Sequence, residues 1–190
     1  NIVNEINYFS NNIYIATNSG INVLSTFGNV LLSVDELNFF NNVNIFSFFL
    51  DSESILIASE LGLYEYIFKK NKVIQITEKK YQNVFADEDN DLILSRRKKI
   101  FKSSNDDYES LISLDRIKNV CYVDNFLWVN SVNNATLFNL NNNKSTIYNQ
   151  SDGIVGNIIN HIGCDESWVW FSTNKGVTMY NWSKYHNNEK

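Results

Sequence analysis

The sequence contains no proline, one methionine, two cysteines and seven glycines in 190 residues. Without proline, turns fall to other residues, and glycine and asparagine carry most of those read below. Two cysteines are too few for the disulfide scaffold that a small secreted chain without a core would need. No uninterrupted apolar stretch of about 18 residues is present, so no segment reads as a membrane-crossing helix. The richest run, FSFFLDSESILIAS, is broken by Asp51, Ser52 and Glu53. Basic charge is in deficit, with 16 Lys and Arg against 21 Asp and Glu and a formal net charge of -5. That balance, with a pI near 5.0, argues against nucleic acid as a partner, because phosphate binding needs a basic surface. The single basic run, Arg96-Arg97-Lys98-Lys99, reads first as a solvated turn. The chain begins at Asn1 with no signal-like segment and reads as a mature or excised piece.

What is present is apolar and aromatic. Hydrophobic residues make up 44% and aromatic residues 14% of the chain, which places it among folded globular proteins rather than disordered ones. The dominant feature is a repeat. "VWFSTNKGVTMY" (169–180) has four relatives: "IYIATNSGINVL" (13–24), "ILIASELGLYEY" (55–66), "LILSRRKKIFKS" (92–103) and "LWVNSVNNATLF" (127–138). The turn position falls at Gly20, Gly62, Lys99, Asn134 and Gly176, at spacings of 42, 37, 35 and 42 residues. Each copy is a strand of alternating apolar residues, a small hydroxyl residue, a turn and a second strand. Glycine suits a positive φ at the turn and Asn134 is the next best substitute, whereas Lys99 predicts a different turn in the third copy.

Two further strand-like runs flank each hairpin. NEINYFS, VNIFSFFL, YQNVFAD, IKNVCYVD and NIINHIGCD precede it, and GNVLLSV, NKVIQIT, YESLISL and KSTIYNQ follow it. Helical periodicity is confined to a turn near Val34–Phe40. Four-stranded units every ~40 residues predict an all-β fold, a β-propeller of about five four-stranded blades. A lone twisted sheet cannot cover its two apolar faces, and radial stacking of sheets buries them between neighbours. A two-sheet sandwich also has short, closely spaced strands but predicts no such self-similarity. The blades read as approximately 1–38, 39–79, 80–116, 117–150 and 151–190, all within one propeller segment. The last shows three strands and then the polar tail SKYHNNEK. The chain therefore either closes as a five-bladed ring or forms part of a larger propeller. An open ring would leave faces and edges free for other blades of a parent chain or for a homodimer.

"SDGIVGNIINHIGCDESWVWFSTNKGVTMY" resembles the two-component regulator propeller repeat. Asp152-Gly153-Ile154 matches the lead-in of that pattern; Asn157, Ile159 and Ile162 match the run toward Asp165; Trp170, Thr173, Gly176 and Val177 match the rest. "IYIATNSGI" and "LWVNS" match its core strand, and "DEDNDLIL" its hairpin, with Asn90 where the family prefers Gly. The third copy departs at Arg96 and Lys99, and the fourth lacks the Gly. The signature residues of the WD and kelch types are missing. The resemblance implies a non-enzymatic ligand-sensing module: the periplasmic, extracytoplasmic part of a hybrid two-component histidine kinase of the Bacteroidetes type, responding to glycan-derived oligosaccharides, with the kinase elsewhere in a longer chain. A protein-interaction propeller of a cell-surface or secretion-system component is the alternative, and a propeller glycan lyase or hydrolase a third.

No catalytic constellation stands out. An enzyme of this kind would want paired carboxylates or a His/Tyr/Arg cluster. His161 and His186 lack metal-ligand spacing, and they read as a packed or rim residue in a strand and a solvated tail residue respectively. Asp87, Asp89 and Asp91 alternate as in a calcium loop, but Leu92 and Lys98 occupy the places where such a loop needs Gly and Glu, so a hairpin turn is expected. No metal and no cofactor are expected. By the repeat, Cys121 aligns with Gly163 and Cys164 with Tyr122. That puts the thiols on opposite sides of equivalent strands, and no disulfide is expected. Asn181-Trp182-Ser183 fits a glycosylation acceptor, which a bacterial origin would leave idle. For ligand contact at an exposed face, the candidates are Arg96, Arg97, Trp182 and Tyr185, while the aromatics at 168–171 read as core.

Overall fold

The structure, a computed structural model, describes residues 2–27, 30–32, 34–87, 89–104 and 107–186. The described residues form five antiparallel sheets in chain order. The first is β1 (Val3–Phe9), β2 (Asn12–Thr17), β3 (Gly20–Ser25) and β4 (Val30–Leu32). The second is β5 (Ile45–Leu50), β6 (Ser54–Ser59), β7 (Gly62–Ile67) and β8 (Lys72–Thr77). The third is β9 (Asn83–Ala86), β10 (Leu92–Arg96), β11 (Lys99–Ser104) and β12 (Asp107–Ser113). The fourth is β13 (Asn119–Val123), β14 (Phe126–Asn130), β15 (Ala135–Asn139) and β16 (Lys144–Tyr148). The fifth has three strands, β17 (Ile159–Cys164), β18 (Val169–Thr173) and β19 (Gly176–Tyr180), followed by a short helix α1 (Trp182–His186). Every strand run read from the repeat is a strand, and the helical turn is a 3-10 segment over Asp35–Phe40. The chain divides into two compact units, 1–96 and 97–190.

The recurring hydroxyl and glycine have one local cause. In the first hairpin the Ser19 N–H donates to Thr17 Oγ1 at 3.0 Å, and that hydroxyl donates to the Gly20 carbonyl at 2.9 Å. Ser59 makes the same pair of bonds to Leu61 N–H and Gly62 O, and Thr173 to Lys175 N–H and Gly176 O. The hydroxyl satisfies turn groups that the ladder cannot reach. Glycine is required by geometry at Gly20 and Gly62. Their φ values are +122° and +134°, and a Cβ would lie 2.9 Å from Phe40 O and 2.3 Å from Thr77 O respectively. The fourth hairpin solves the problem differently: Asn130 pairs with Ala135 across a four-residue loop, and the positive φ falls on Asn133, at 110°, rather than on Asn134. In the third, a two-residue turn puts the positive φ of 49° on Arg97, the different turn that Lys99 predicted.

The turn before each hairpin uses one of two devices. Paired left-handed residues, Ser10 and Asn11 or Asp124 and Asn125, suit a two-residue hairpin between right-twisted strands. Elsewhere an aspartate holds the turn. Asp51, Asp87 and Asp165 each accept two backbone N–H groups through Oδ1. Asp87 therefore serves the hairpin expected for DEDND.

In the first unit β1 packs against β5, and β5 against β9. The core there gathers Tyr14, Phe40, Ile45, Phe48, Ile57 and Tyr64. In the second unit β13 and β14 pack against β17, around Phe126, Trp128, Phe171 and Trp182. Polar side chains on the first strand of one sheet also grip the backbone of the next. The Phe48 N–H donates to Glu5 Oε2 at 3.2 Å. In the second unit the Ile162 N–H donates to Asn119 Oδ1 at 3.2 Å, and Asn119 Nδ2 donates to the Ile162 carbonyl at 2.8 Å.

Three expectations are corrected here. Cys121 and Cys164 form a disulfide, with Cα atoms 6.0 Å apart. The repeat alignment placed the thiols correctly, on opposite sides of equivalent strands, but stacked sheets meet front face to back face. Opposite sides are therefore the arrangement that joins neighbours. His186 is buried rather than solvated, with Nε2 2.9 Å from the Tyr148 hydroxyl and 3.4 Å from that of Tyr180. Trp182, expected to be available for ligand contact, is fully buried on α1 against Phe126, with Nε1 donating to the Asp165 carbonyl at 2.8 Å.

Candidate functional site

In the first unit the segment between the first two sheets makes a groove. The 3-10 turn over Asp35–Phe40 eclipses residues three apart. Leu37 and Phe40 are buried, while Phe39, in register with Glu36, points outward and is 54% exposed. Phe39 is held by contact with Phe40 at 5.1 Å, edge to face, and with Tyr64 at 5.5 Å between ring centroids. Opposite it, β7 and β8 supply Tyr64, Lys72, Val73 and Gln75. Together with Glu36 and Asn71 these residues line a groove of about 480 Å³.

The polar groups of the groove are tied to one another. Gln75 Nε2 donates to the Tyr64 hydroxyl at 3.0 Å. Asn71 Nδ2 donates to Glu36 Oε1, and Asn71 Oδ1 accepts from the Tyr66 hydroxyl at 2.7 Å. Asn71 can reach both because it is left-handed, at φ 48°, where β8 begins. Burial, followed by the charge of Glu78, pushes the Tyr64 phenol above its ordinary value. It therefore stays neutral, a donor and acceptor at physiological pH. An open aromatic face flanked by amides, a carboxylate and an ammonium suits stacking of an apolar ring face with hydrogen bonds to its rim hydroxyls.

The residues singled out in the sequence lie elsewhere. Arg96 ends β10 and is exposed. Arg97 is exposed in the following turn, its carbonyl accepting from the Ile117 N–H at 2.7 Å. Tyr185 is 60% exposed and stacks on Tyr180 at 5.4 Å, with Lys184 Nζ over its ring. Trp182, read as a candidate for exposed contact, is inaccessible. Both aromatics are on α1, and the larger, more apolar ring turns inward. None of these four lines the groove. His161 is a rim residue whose pKa desolvation lowers. Asn181 accepts from the Lys184 N–H at 3.1 Å and so caps α1. Among the described residues no group of three or more His, Cys, Asp or Glu is placed to hold a metal. The groove's signal in the sequence was the Phe39-Phe40 pair inside a helical turn, of which only one ring can face inward.

No family model matches the chain, and no curated protein matches it. Solved structures do. PorZ, a bacterial surface component of the type-IX secretion system of Porphyromonas gingivalis, superposes with a TM-score of 0.70 at 13% identity, over 94% of this chain and 24% of that one. The extracellular domain of a hybrid two component system from B. thetaiotaomicron superposes at 0.70 and 13% identity, over 99% of this chain and 29% of that one. The WD40 β-propeller domain of Doa1 superposes at 0.64 and 12% identity, over 95% and 64%. The chain thus spans about a quarter of the first two. At these identities the likeness is one of fold, and the fold is the β-propeller.

Proposed function

We propose that the chain is a ligand-sensing propeller segment of an extracytoplasmic signalling protein: the periplasmic sensor region of a hybrid two-component histidine kinase, binding glycan-derived oligosaccharides without chemical turnover. The groove carries this reading, because Phe39 offers an aromatic platform in front of Tyr64, Gln75, Asn71, Glu36 and Lys72. The Cys121–Cys164 disulfide supports an oxidising compartment. The likeness to the extracellular domain of a two component system supports the sensor setting. A bound ligand would act by favouring one of two placements of sensor domains, to the extent that its affinity for them differs.

Calorimetric titration with a panel of neutral and acidic oligosaccharides tests this. Binding to one member is expected, weakened about 10-fold in Phe39→Ala by loss of a stacking contact. No binding across the panel, or binding indifferent to Phe39→Ala, would refute it. The likeness to PorZ favours a second reading, a protein-docking propeller of a secretion system, under which capture of a protein partner would replace sugar binding.

A further inference from the structure

The charges around the groove are unequal in number. Glu36 stands at the Asn71 end, where its Oε1 accepts from the Asn71 amide. Glu78 directly follows β8, and its charge is felt at the Tyr64 hydroxyl, which Gln75 also reaches. Among the lining residues Lys72 carries the one ammonium, exposed where β8 begins. None of these three side chains is ion-paired among the described residues, so their fields act on the groove unneutralised. Two phenols feel the carboxylates. Burial raises Tyr66 most, with the charge of Glu36 next, and burial followed by Glu78 does the same at Tyr64.

The aromatic platform adds to the negative side. An exposed ring face attracts a cation and repels an anion through its quadrupole. Phe39 presents such a face beside Tyr64. Glu36 lies three residues before it on the 3-10 turn, so the carboxylate and the ring share one side of that turn. Two carboxylates and the Phe39 ring therefore stand against one ammonium. A carboxylate entering the groove is opposed by Glu36, Glu78 and the ring, and is favoured by Lys72 alone. A protonated amine is favoured by the first three and opposed by Lys72 alone.

We propose that the groove selects a ligand bearing a protonated amine, an amino sugar whose nitrogen is not acetylated; this rests on the reading of the groove as the ligand site. The apolar face of the sugar ring would lie on Phe39, with its ammonium toward Glu36, whose Oε2 is left over from the bond to Asn71. The ring hydroxyls would meet the amides of Gln75 and Asn71. A lysine side chain of a peptide brings the same charge without those hydroxyls, so the sugar uses more of what the groove presents. Lys72 is the one lining group that works against such a ligand, which fixes the sign of its effect.

Calorimetric titration at physiological salt tests this with short β-1,4-linked glucosamine oligosaccharides, their fully N-acetylated counterparts, uronic acid oligosaccharides and a lysine-bearing peptide. The glucosamine form is expected to bind about 10-fold more tightly than the N-acetylated one. Glu36→Gln is expected to weaken it by up to about 5-fold and to narrow that preference, and Lys72→Met to tighten it by a similar factor. Glu166→Gln removes the same charge from an exposed site of the second unit and is expected to change nothing. Circular dichroism melts check that the variants remain folded. Equal weakening by Glu166→Gln, a Lys72→Met variant that binds more weakly, or preference for the peptide would each overturn the proposal. Binding of the neutral or uronic acid sugars as tightly as the amine, still weakened by Phe39→Ala, would overturn it while leaving the groove as the ligand site. Binding of no probe in a Phe39-dependent way would remove both.

Discussion

Removing the Cys121–Cys164 disulfide is expected to destabilise the second unit by up to about 4 kcal/mol. The bridge spans a sequence separation of 43 residues, and closing a loop of that length removes about 13 cal/mol/K of entropy from the unfolded chain, hence about 4 kcal/mol at room temperature. The folded side loses less, since the two grips of Asn119 on Ile162 and the apolar contacts around Trp128 survive in a Cys121→Ser, Cys164→Ser variant. The double variant is therefore expected to fold. The assay follows from the placement of the chromophores: all four tryptophans, Trp128, Trp168, Trp170 and Trp182, lie in the second unit, so selectively excited tryptophan emission follows that unit alone. With a urea slope of about 2 kcal/mol/M, the midpoint is expected to fall by about 2 M. Reductant should produce the same shift in the wild type and none in the double variant. A shift below about 0.5 M, or two reactive thiols in the denatured, unreduced protein, would refute the reasoning.

Two further predictions concern the first unit. Gly62→Ala is expected to cost about 3 kcal/mol or more, since it combines a glycine-only φ with a Cβ 2.3 Å from the Thr77 carbonyl. Gly153→Ala in the second unit, at φ +99° with nothing within 4 Å, should cost only about 1–2 kcal/mol; equal losses in urea titrations would contradict the steric argument. The Glu5 carboxyl is pushed above its usual value by burial, against hydrogen bonds from the Phe48 backbone and Asn7. The folded chain then retains a proton that the unfolded chain has released. Its contribution to stability is greatest below the ordinary value of 4.5 and declines as pH rises through the raised folded value. Glu5→Gln is expected to flatten that decline in far-UV melts across the interval, and an unchanged slope would show that Glu5 does not cause it.

The architecture was legible because a propeller is a local object repeated. Strand, hydroxyl, turn and strand are decided within about a dozen residues, so the hairpins, the flanking strands and the 3-10 turn at Asp35–Phe40 could all be read from residue order. The same holds for Asp87, whose carboxylate accepts the N–H groups of Asp89 and Asp91, two and four residues on. The odd turn at Lys99 was foreseeable because its departure from glycine was visible.

What escaped the reading lies between sheets. Cys121 and Cys164 were assigned to the correct sides of their strands, but the conclusion needed the knowledge that neighbours meet front to back. His186 sits in a segment whose composition is that of a solvated tail, with Trp182 just before it, and their burial depends on Tyr148 and Phe126 from distant strands. The groove is of the same kind, since Phe39 and Tyr64 are 25 residues apart in the chain yet within ring contact. Residue order dictates which strands form, because backbone pairing and turn chemistry act over short separations. Which faces meet, and which aromatic rings stay outside, follows from side-chain packing across the gaps between sheets, which linear order does not display.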